Sequence, residues 1–383
     1  METPQIFKNL RVVTPREIIE CDIEVENGKI KKIKRNIQEK GIDLEKRLAL
    51  QNVTDLHVHT RDFREREKET VESCTKAALA GGITRIVDMP NTNPPILTKK
   101  IYEERLKLFE EYSNCDFRVN MGAVRITPKI EKVFKSYTPP FLKIYLSKTT
   151  GHLTFNDDLE KLFSLKIPIA VHADFENMKR CVELSKKYNT KLHICHISQK
   201  KELEYLIVNK DKNITSEITP HHLLLTRKNH ERLKPETFVK PELSSERDRI
   251  FLLKNLKYID VIASDHAPHI LYQKKRDAFG ISGIETMLPL MLDCVNKGLL
   301  NIFELSEKLS QNPCRILGDN SFSLNSPANF TLIDLKRENK IDSLKFLSKA
   351  KHSPFHGFKV RGCVEKVFLH GRIVFENDVG IIT

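Results

Sequence analysis

The eight cysteines of this sequence form no CxxC pair and follow no disulfide-framework spacing. No apolar run reaches the roughly 20 residues that a membrane-spanning helix needs. The opening residues, METPQIFKNL, lack the charged and then apolar pattern of a secretory leader. The chain also contains no internal repeat and no low-complexity segment. These absences predict a reduced, cytoplasmic protein that does not associate with membranes.

The charge balance is basic, with 64 Lys and Arg against 51 Asp and Glu and a net charge of +13. Such an excess is compatible with a nucleic-acid partner. The cations, however, alternate with glutamates in amphipathic segments such as KKIYEERLKLFEEY, as they do on solvated helix faces. No basic segment is rich in aromatic residues. We therefore predict no nucleic-acid partner, although a weak attraction for anionic substrates remains compatible with this charge.

Strand-like segments recur along the middle of the chain, with amphipathic helical segments between them. There are eight of them, LQNVTDLHVH, TRIVDMP, FRVNMGAV, PFLKIYL, IPIAVHAD, KLHICHI, NITSEIT and DVIASDH. This alternation predicts an α/β fold with a closed (β/α)8 TIM-type barrel over residues 51–320. A doubly wound open sheet is the alternative. It is disfavoured because polar groups end many strands, and not only those beside a switch point.

The two ends of the chain have a different pattern, with short β segments and turns. Examples are IFKNLRVV near the start and VEKVFLHGRIVF near the end. Neither end alone has enough apolar residues for a core. We therefore predict that residues 1–50 and 321–383 combine into one small β-sandwich domain.

Candidate metal ligands stand at the ends of several predicted strands. His57 and His59 are two residues apart, so they share a face of their strand and can bind one metal. His172, His196 and Asp265 end three other apolar segments. A lone buried histidine is usually structural, but several ligands at one barrel rim indicate a metal site. Asp265 could also move a proton, as a general base and then a general acid.

Lys143 lies inside the apolar segment FLKIYL. Burial of an ammonium is costly and favours the neutral amine. A neutral amine can react with carbon dioxide to give a carbamate, whose two oxygens can bridge two cations. The alternative is an edge-strand lysine whose end reaches water. The other candidate ligands favour the bridging role.

Further residues are candidates for substrate binding. Arg61 shares the face of His57 and His59, and arginine binds carboxylates through a bidentate fork. His269 lies four residues after Asp265, and Asn91 lies in the proline-rich segment MPNTNPP. Cys195 is either a packed thiol or, if its strand bulges, a ligand of an additional metal together with Glu217. The loop KTTGHLTF, with its paired Thr149 and Thr150, suits a mobile lid; it and MPNTNPP could equally be ordinary βα loops, and His221 and His222 are not counted as ligands.

The assembled motifs resemble those of the dihydroorotases of the amidohydrolase superfamily. The resemblance runs along nearly the whole chain, through DLHVHTR, GGITRIVDMPNTNPP, LKIYL, AVHA, HICHIS, SEITPHHLLL, VKPELSSERDR, ASDHAPH and GISGIETMLPL. It implies a (β/α)8 barrel with a small β-sandwich. It also implies the reversible closure of N-carbamoyl-L-aspartate to L-dihydroorotate in pyrimidine synthesis, and aspartate carbamoyltransferase as a possible partner.

Carried over by motif, the resemblance assigns two zinc ions. The first falls to His57, His59, Lys143 and Asp265, and the second to a carboxylated Lys143, His172 and His196. Asp265 would be the acid–base residue. Arg61, Asn91 and His269 would hold the substrate, and Thr149 stands where related animal enzymes have a threonine that closes over it.

The sequence departs from the family pattern at two places and leaves alternatives open. Arg61 is followed by Asp62, Phe63 and Arg64 instead of a Glu-Pro-Gly turn, and Lys240 replaces an arginine of the animal enzymes. Dihydroorotases without a carboxylated lysine also exist. The alternatives are a hydantoinase or allantoinase, and an inactive dihydroorotase-like scaffold for aspartate carbamoyltransferase.

Overall fold

The computed structural model describes residues 4–147, 153–276 and 278–382. Strands β1 to β18 span Gln5–Val13, Ile18–Glu26, Lys29–Lys34, Ile42–Asp43, Leu48–Gln51, Thr54–Val58, Arg85–Asp88, Asp116–Val119, Met121–Gly122, Leu142–Tyr145, Ile169–His172, Leu192–Ile194, Ile214–Ile218, Val261–Ile262, Phe330–Lys340, Lys359–Leu369, Arg372–Glu376 and Gly380–Ile381.

The α-helices follow the barrel strands or pack around them. Helices α1 to α13 span Val71–Ala80, Lys99–Tyr112, Pro128–Tyr137, Leu159–Ser164, Phe175–Tyr188, Lys200–Asn209, Pro220–Leu224, Arg227–Leu233, Glu246–Lys254, Leu271–Lys274, Met287–Asn296, Ile302–Ser306 and Asn312–Leu317. Short 3-10 helices lie at Leu256–Tyr258 and Ser343–Lys345, and a π-helical turn at Glu307–Gln311 joins α12 to α13.

The central strands close into a parallel barrel. One sheet has the order β6-β7-β8 and the other β14-β13-β12-β11-β10-β9, and Asn120 alone separates β8 from β9. A parallel bridge between Val58 and His266, with a 2.8 Å bond from His59 N to His266 O, joins the first strand to the segment after the last. Counting β8 and β9 as one, eight strands complete the circle. The barrel predicted from the sequence is confirmed.

The helix boundaries of the βα units have local causes. Thr70 caps α1 by accepting a hydrogen bond from Ser73 N, and the Ser73 hydroxyl accepts one from Thr70 N. Asp174 likewise caps α5, directly after β11. At the other end of α5, Asn189 adopts a left-handed conformation with φ 53°. The Asp174 cap of α5 thus lies two residues after His172, the last residue of β11.

The two ends of the chain share one antiparallel and parallel sheet, in the order β18-β17-β16-β15-β5-β1-β2-β3, with β4 beside β1. Gln51 of β5 pairs with Phe330 of β15, so the two ends meet inside the sheet. Phe330 also stacks on Phe368, with ring centroids 4.4 Å apart. The prediction of a small β-rich domain from both termini is confirmed. The boundaries at residues 50 and 320 stay a prediction.

The small sheet lies against the barrel through α11. Asn296 at the end of α11 donates to Leu335 O at 2.9 Å and to Arg361 O at 2.8 Å. A Cβ on Gly362 of β16 would come within 2.6 Å of Leu292 Cβ, so the two elements approach closely there. Among the described residues, no helix combines the length and the apolar character needed to cross a membrane.

Candidate metal and substrate site

Three predicted ligands converge at the seam of the barrel. His57 Nε2 lies 3.3 Å and His59 Nε2 3.1 Å from the same oxygen, Asp265 Oδ1. All three side chains are at most 8% exposed. Their ligand atoms lie within 4.8 Å of one another. Two imidazole nitrogens and a carboxylate oxygen form a donor set that suits zinc.

The other ring nitrogens of these two histidines have partners that fix the rings. His57 Nδ1 lies 2.5 Å from Glu217 Oε1, and His59 Nδ1 lies 2.6 Å from Asn91 Oδ1. His193 holds the second Glu217 oxygen at 2.9 Å. Such outer partners orient metal-binding imidazoles. Both Nε2 atoms are thereby directed at Asp265.

His172 and His196 form a second group. His172 Nδ1 lies 2.8 Å from His196 Nε2, and the His57 and His196 ring centroids are 5.4 Å apart. His196 Nδ1 is buried and has no hydrogen-bond partner among the described residues. Burial lowers the pKa of His172 to about 3 and that of His196 well below its usual range. Both rings are therefore neutral at pH 7, the form that binds a cation.

The pKa values of the first group depend on its carboxylates. Burial, the largest single effect, would lower the pKa of His57, but Glu217, Asp265 and a hydrogen bond with Cys195 together outweigh it and raise the pKa to about 10. Burial lowers the pKa of His59 to about 4. Burial would raise the pKa of Asp265, yet His57 and His59 hold it well below its usual range. The Asp265 side chain is thus an ionised carboxylate between two imidazoles.

Lys143 is fully buried in β10, at the base of the site. Its Nζ lies 2.8 Å from Cys195 Sγ and 5.3 Å from the Tyr145 ring centroid. No Asp or Glu oxygen among the described residues is within 4.0 Å of this amine. A buried lysine without a carboxylate partner fits the predicted modification.

Irregular strand ends explain why Cys195 and His196 both face the site. A regular strand would turn them to opposite faces. Strand β12 ends at Ile194, and His196 has φ 37°. Cys195 therefore contacts Lys143, and it forms a second group with His57 and Glu217 whose ligand atoms lie within 4.8 Å of one another. Asp265 and Arg61 also have positive φ, 46° and 51°.

Two of the three predicted substrate-binding residues line the same cavity as the candidate metal ligands. The third, His269, contacts Arg61. Arg61 and Asn91 line the cavity. His269 Nε2 lies 3.1 Å from Arg61 Nη2 and 2.9 Å from Phe279 O. Because a ring nitrogen serves one of these roles at a time, His269 either accepts from Arg61 or donates to Phe279. Lys240 also lines the cavity and forms an ion pair with Glu242. Thr149 and Thr150 lie outside the described residues.

Sequence reasoning missed several residues of the site. Tyr145 lines the cavity, and its buried hydroxyl has no partner among the described residues. Its signal was its position two after Lys143, on the same strand face. Arg105 had no signal, because it lies in a helix rich in charged residues. It is fully buried and bonds Asp88 at 2.8 Å and the Thr60 hydroxyl, between His59 and Arg61.

The family of the chain follows from comparison with known proteins. A model described as the amidohydrolase family matches residues 53–374. The chain belongs to the amidohydrolase family. Amidohydrolases similar to it include the dihydroorotase of Thermococcus kodakarensis, with 37% identity over 96% of this chain and 94% of that protein. The dihydroorotase of Archaeoglobus fulgidus has 34% identity over 95% of each. The predicted membership among dihydroorotases is confirmed. The prediction that the protein is a cyclic amide hydrolase is confirmed with it.

Solved amidohydrolase structures confirm the fold. The L-hydantoinase of Arthrobacter aurescens has a TM-score of 0.92 and 25% identity, over 98% of this chain and 97% of that chain. A D-hydantoinase structure has a TM-score of 0.90 at 20% identity. The chain also matches 15% of the multifunctional protein CAD of Squalus acanthias, at 35% identity over 86% of its own length. An amidohydrolase unit of this kind therefore also occurs inside a longer protein.

Proposed function

We propose that the protein interconverts L-dihydroorotate and N-carbamoyl-L-aspartate. In the hydrolytic direction, water adds to the ring amide carbonyl and the bond from that carbon to the ring nitrogen breaks. The carbon becomes a carboxylate, and the nitrogen takes up a proton. The observation that carries this proposal is a buried arginine, Arg61, beside a cluster of metal ligands in one cavity. Similarity to dihydroorotases along nearly the whole chain supports it.

The proposed cofactor is a pair of zinc ions. His57, His59 and Asp265 would hold one, His172 and His196 the other, and a carboxylated Lys143 would bridge them. The convergence of Nε2 atoms on Asp265 supports this assignment, as does the His196 Nδ1 atom, which has no hydrogen-bond partner within the described part of the chain. When bound, such a pair supplies Lewis-acid polarisation of the carbonyl and lowers the pKa of water.

The protein's own residues would position the substrate and move the proton. Asp265 would accept the proton of the attacking water and deliver it to the departing ring nitrogen. Arg61 would bind the substrate carboxylate. His269 would complete this contact, since its ring touches Arg61. Asn91, which lines the cavity, would act through His59, whose Nδ1 it contacts.

The test is turnover by zinc-loaded protein, followed in the ultraviolet in both directions. Dihydroorotate and carbamoyl-aspartate are the substrates, and dihydrouracil, hydantoin and allantoin are controls that lack the carboxylate on the ring. Turnover of dihydroorotate alone is the expected result. Turnover of a control ring in preference to dihydroorotate would overturn the proposed substrate while leaving the metal site intact.

A hydantoinase is the second candidate, because the L-hydantoinase structure superimposes with a TM-score of 0.92. The identity to that protein is 25%, against 37% to a dihydroorotase. A hydantoin ring also offers no carboxylate to a buried arginine. The Arg61 side chain therefore favours dihydroorotate.

Metal analysis separates the remaining alternatives. Two zinc ions per chain are expected, and a third would assign the His57, Cys195 and Glu217 group as an additional site. Protein that binds no zinc at any loading would support an inactive scaffold instead. The proposed protein partner is aspartate carbamoyltransferase, as the resemblance to dihydroorotases implies; the match to part of a multifunctional protein is compatible with such an association. Co-elution of the two purified proteins tests this pairing.

A further inference from the structure

Two chain segments outside the barrel strands form one wall of the substrate cavity. The first contributes Val239 and Lys240, after α8, and the second contributes Phe279 and Gly280, after α10. Gly280 N donates to Phe238 O at 2.8 Å, so the two segments touch directly. Lys240 Nζ also lies 5.0 Å from the Phe279 ring centroid. The relative position of the segments therefore sets the shape of the cavity wall.

A buried lysine holds both segments from behind. Lys274 is the last residue of α10, and its side chain is fully buried. Its Nζ donates to Phe238 O and to Gly280 O, each at 2.7 Å. The amine is thus bonded to one carbonyl in each segment, while Lys274 is not among the described residues that line the cavity.

The chemistry of the amine matches these two carbonyls. Burial lowers the pKa of Lys274 to about 7, against the attraction of Glu236. The neutral amine keeps two N–H donors and the ammonium has three, so either form can bond both carbonyls. Without the amine, Phe238 O would keep its bond from Gly280 N, whereas the buried Gly280 O would lose its bond from Lys274, which costs free energy.

The segment after α10 also reaches two residues of the proposed mechanism. Ala267 N donates to Ile281 O at 2.9 Å, two residues after Asp265. Phe279 O lies 2.9 Å from His269 Nε2. Gly280 has φ 149°, and a Cβ there would come within 2.2 Å of Ala267 O. The segment therefore fits tightly behind Asp265 and beside His269.

We propose that Lys274 is a positioning residue, which sets Lys240, Phe279 and the Phe279 carbonyl against the substrate without touching it. This inference rests on the proposed function for its kinetic consequence. It predicts that Lys274 governs substrate binding more than the rate of the chemical step, since Asp265 and the proposed metal ligands stand on the barrel strands or directly after them, and not on these segments.

The test compares Lys274→Met with Lys308→Met. Lys308 is a matched control, because it is 2% exposed and donates to Ile259 O at 2.6 Å, before β14 and far from its ligand-bearing end. For Lys274→Met we expect KM for dihydroorotate to rise about tenfold or more, with kcat within about threefold of wild type. Lys308→Met should keep both constants near wild type. A general loss of stability would affect both variants alike.

Hydrogen exchange gives a readout that does not need turnover. In Lys274→Met, amides at 236–242 and 278–282 should exchange faster than in wild type, and those of β6 and β10 should not. Unchanged exchange in both segments, or a fall in kcat with an unchanged KM, would overturn the proposal. If Lys274→Met does not fold, Lys274→Gln carries the same measurements. If wild type fails to turn over dihydroorotate, the proposed function fails and the exchange result still decides the role of Lys274.

Discussion

Arg61 owes its position to an unusual backbone. It has φ 51°, its side chain is 2% exposed, and its Nε donates to Pro268 O at 3.3 Å. A non-glycine residue in the left-handed region is strained, and such strain is often found at functional sites. Here the turn directs a guanidinium into the cavity that is lined by the proposed metal ligands.

Replacing Arg61 should weaken substrate binding selectively. For Arg61→Ala we expect kcat/KM for dihydroorotate to fall by a factor on the order of 100, because truncating one partner of a buried charge pair costs about 2–5 kcal/mol. Arg66→Ala is the control, since its side chain is 65% exposed and pairs with Asp62. The prediction is wrong if the two variants have the same kinetics.

Lys274 should also give the stability of the protein a distinct pH dependence. Its pKa is about 7 when folded and near 10.5 when unfolded. Between these values the unfolded chain binds more protons, so the free energy of unfolding rises with pH. The titratable groups whose charges act with it include Glu236, His269 and His352. Urea unfolding at pH 7 and pH 9 should show a smaller rise in Lys274→Met than in wild type; an equal rise would contradict the assignment.

At the scale of elements, helix α2 supports the turn after β6, which carries the proposed ligand His59. Arg105 of α2 bonds Asp88 at the end of β7 and the Thr60 hydroxyl after β6, and it packs against Phe63 and Phe109 with its guanidinium 5.1 Å from each ring centroid. One arginine thus ties a helix to two strand ends.

Removing that arginine should destabilise the protein strongly. For Arg105→Met we expect a loss of about 3–5 kcal/mol in the free energy of unfolding, because Asp88 would remain as an uncompensated buried charge. Lys100→Met, at an exposed ion pair with Glu104 on the same helix, should cost less than about 1 kcal/mol. Urea unfolding of both variants tests this, and equal losses would argue against a structural role for the pair.

The elements that were predictable from sequence are those with a regular period. Apolar segments separated by amphipathic helical segments indicated the eight barrel strands, and the polar residues at their ends indicated the candidate site. The pattern of apolar residues did not predict where each strand ends. In a regular strand, Cys195 and His196 would point to opposite faces. In the structure, β12 ends at Ile194 and His196 has a left-handed backbone, so both side chains face the candidate site. The burial of Lys274 and Arg105 was not predicted for another reason. Whether a cation in a polar segment is buried depends on tertiary contacts.

At the scale of the whole molecule, the proposed metal ligands come from distant parts of the chain. His57 and His59 come from the first barrel strand and Asp265 from beyond the last, and the two meet at the bridge between Val58 and His266. A cation bound there would hold the first barrel strand to the segment that follows the last.

Zinc removal should therefore lower stability as well as abolish turnover. Dialysis against dipicolinate should lower the thermal midpoint, and zinc at about 100 times its Kd should restore about 2.7 kcal/mol. Magnesium is the control, because it prefers oxygen ligands to imidazole. A midpoint that does not respond to zinc would exclude this cross-strand role.

The pairing of β5 with β15 has a consequence for biosynthesis. While the ribosome is still making the barrel, β5 has β1 on one side and no neighbour on the other. An open strand edge recruits other chains, and such edges favour aggregation. Each nascent chain therefore exposes this edge until Phe330–Ile333 has emerged. We expect the protein to be most prone to aggregation on crowded polysomes and as prematurely terminated products.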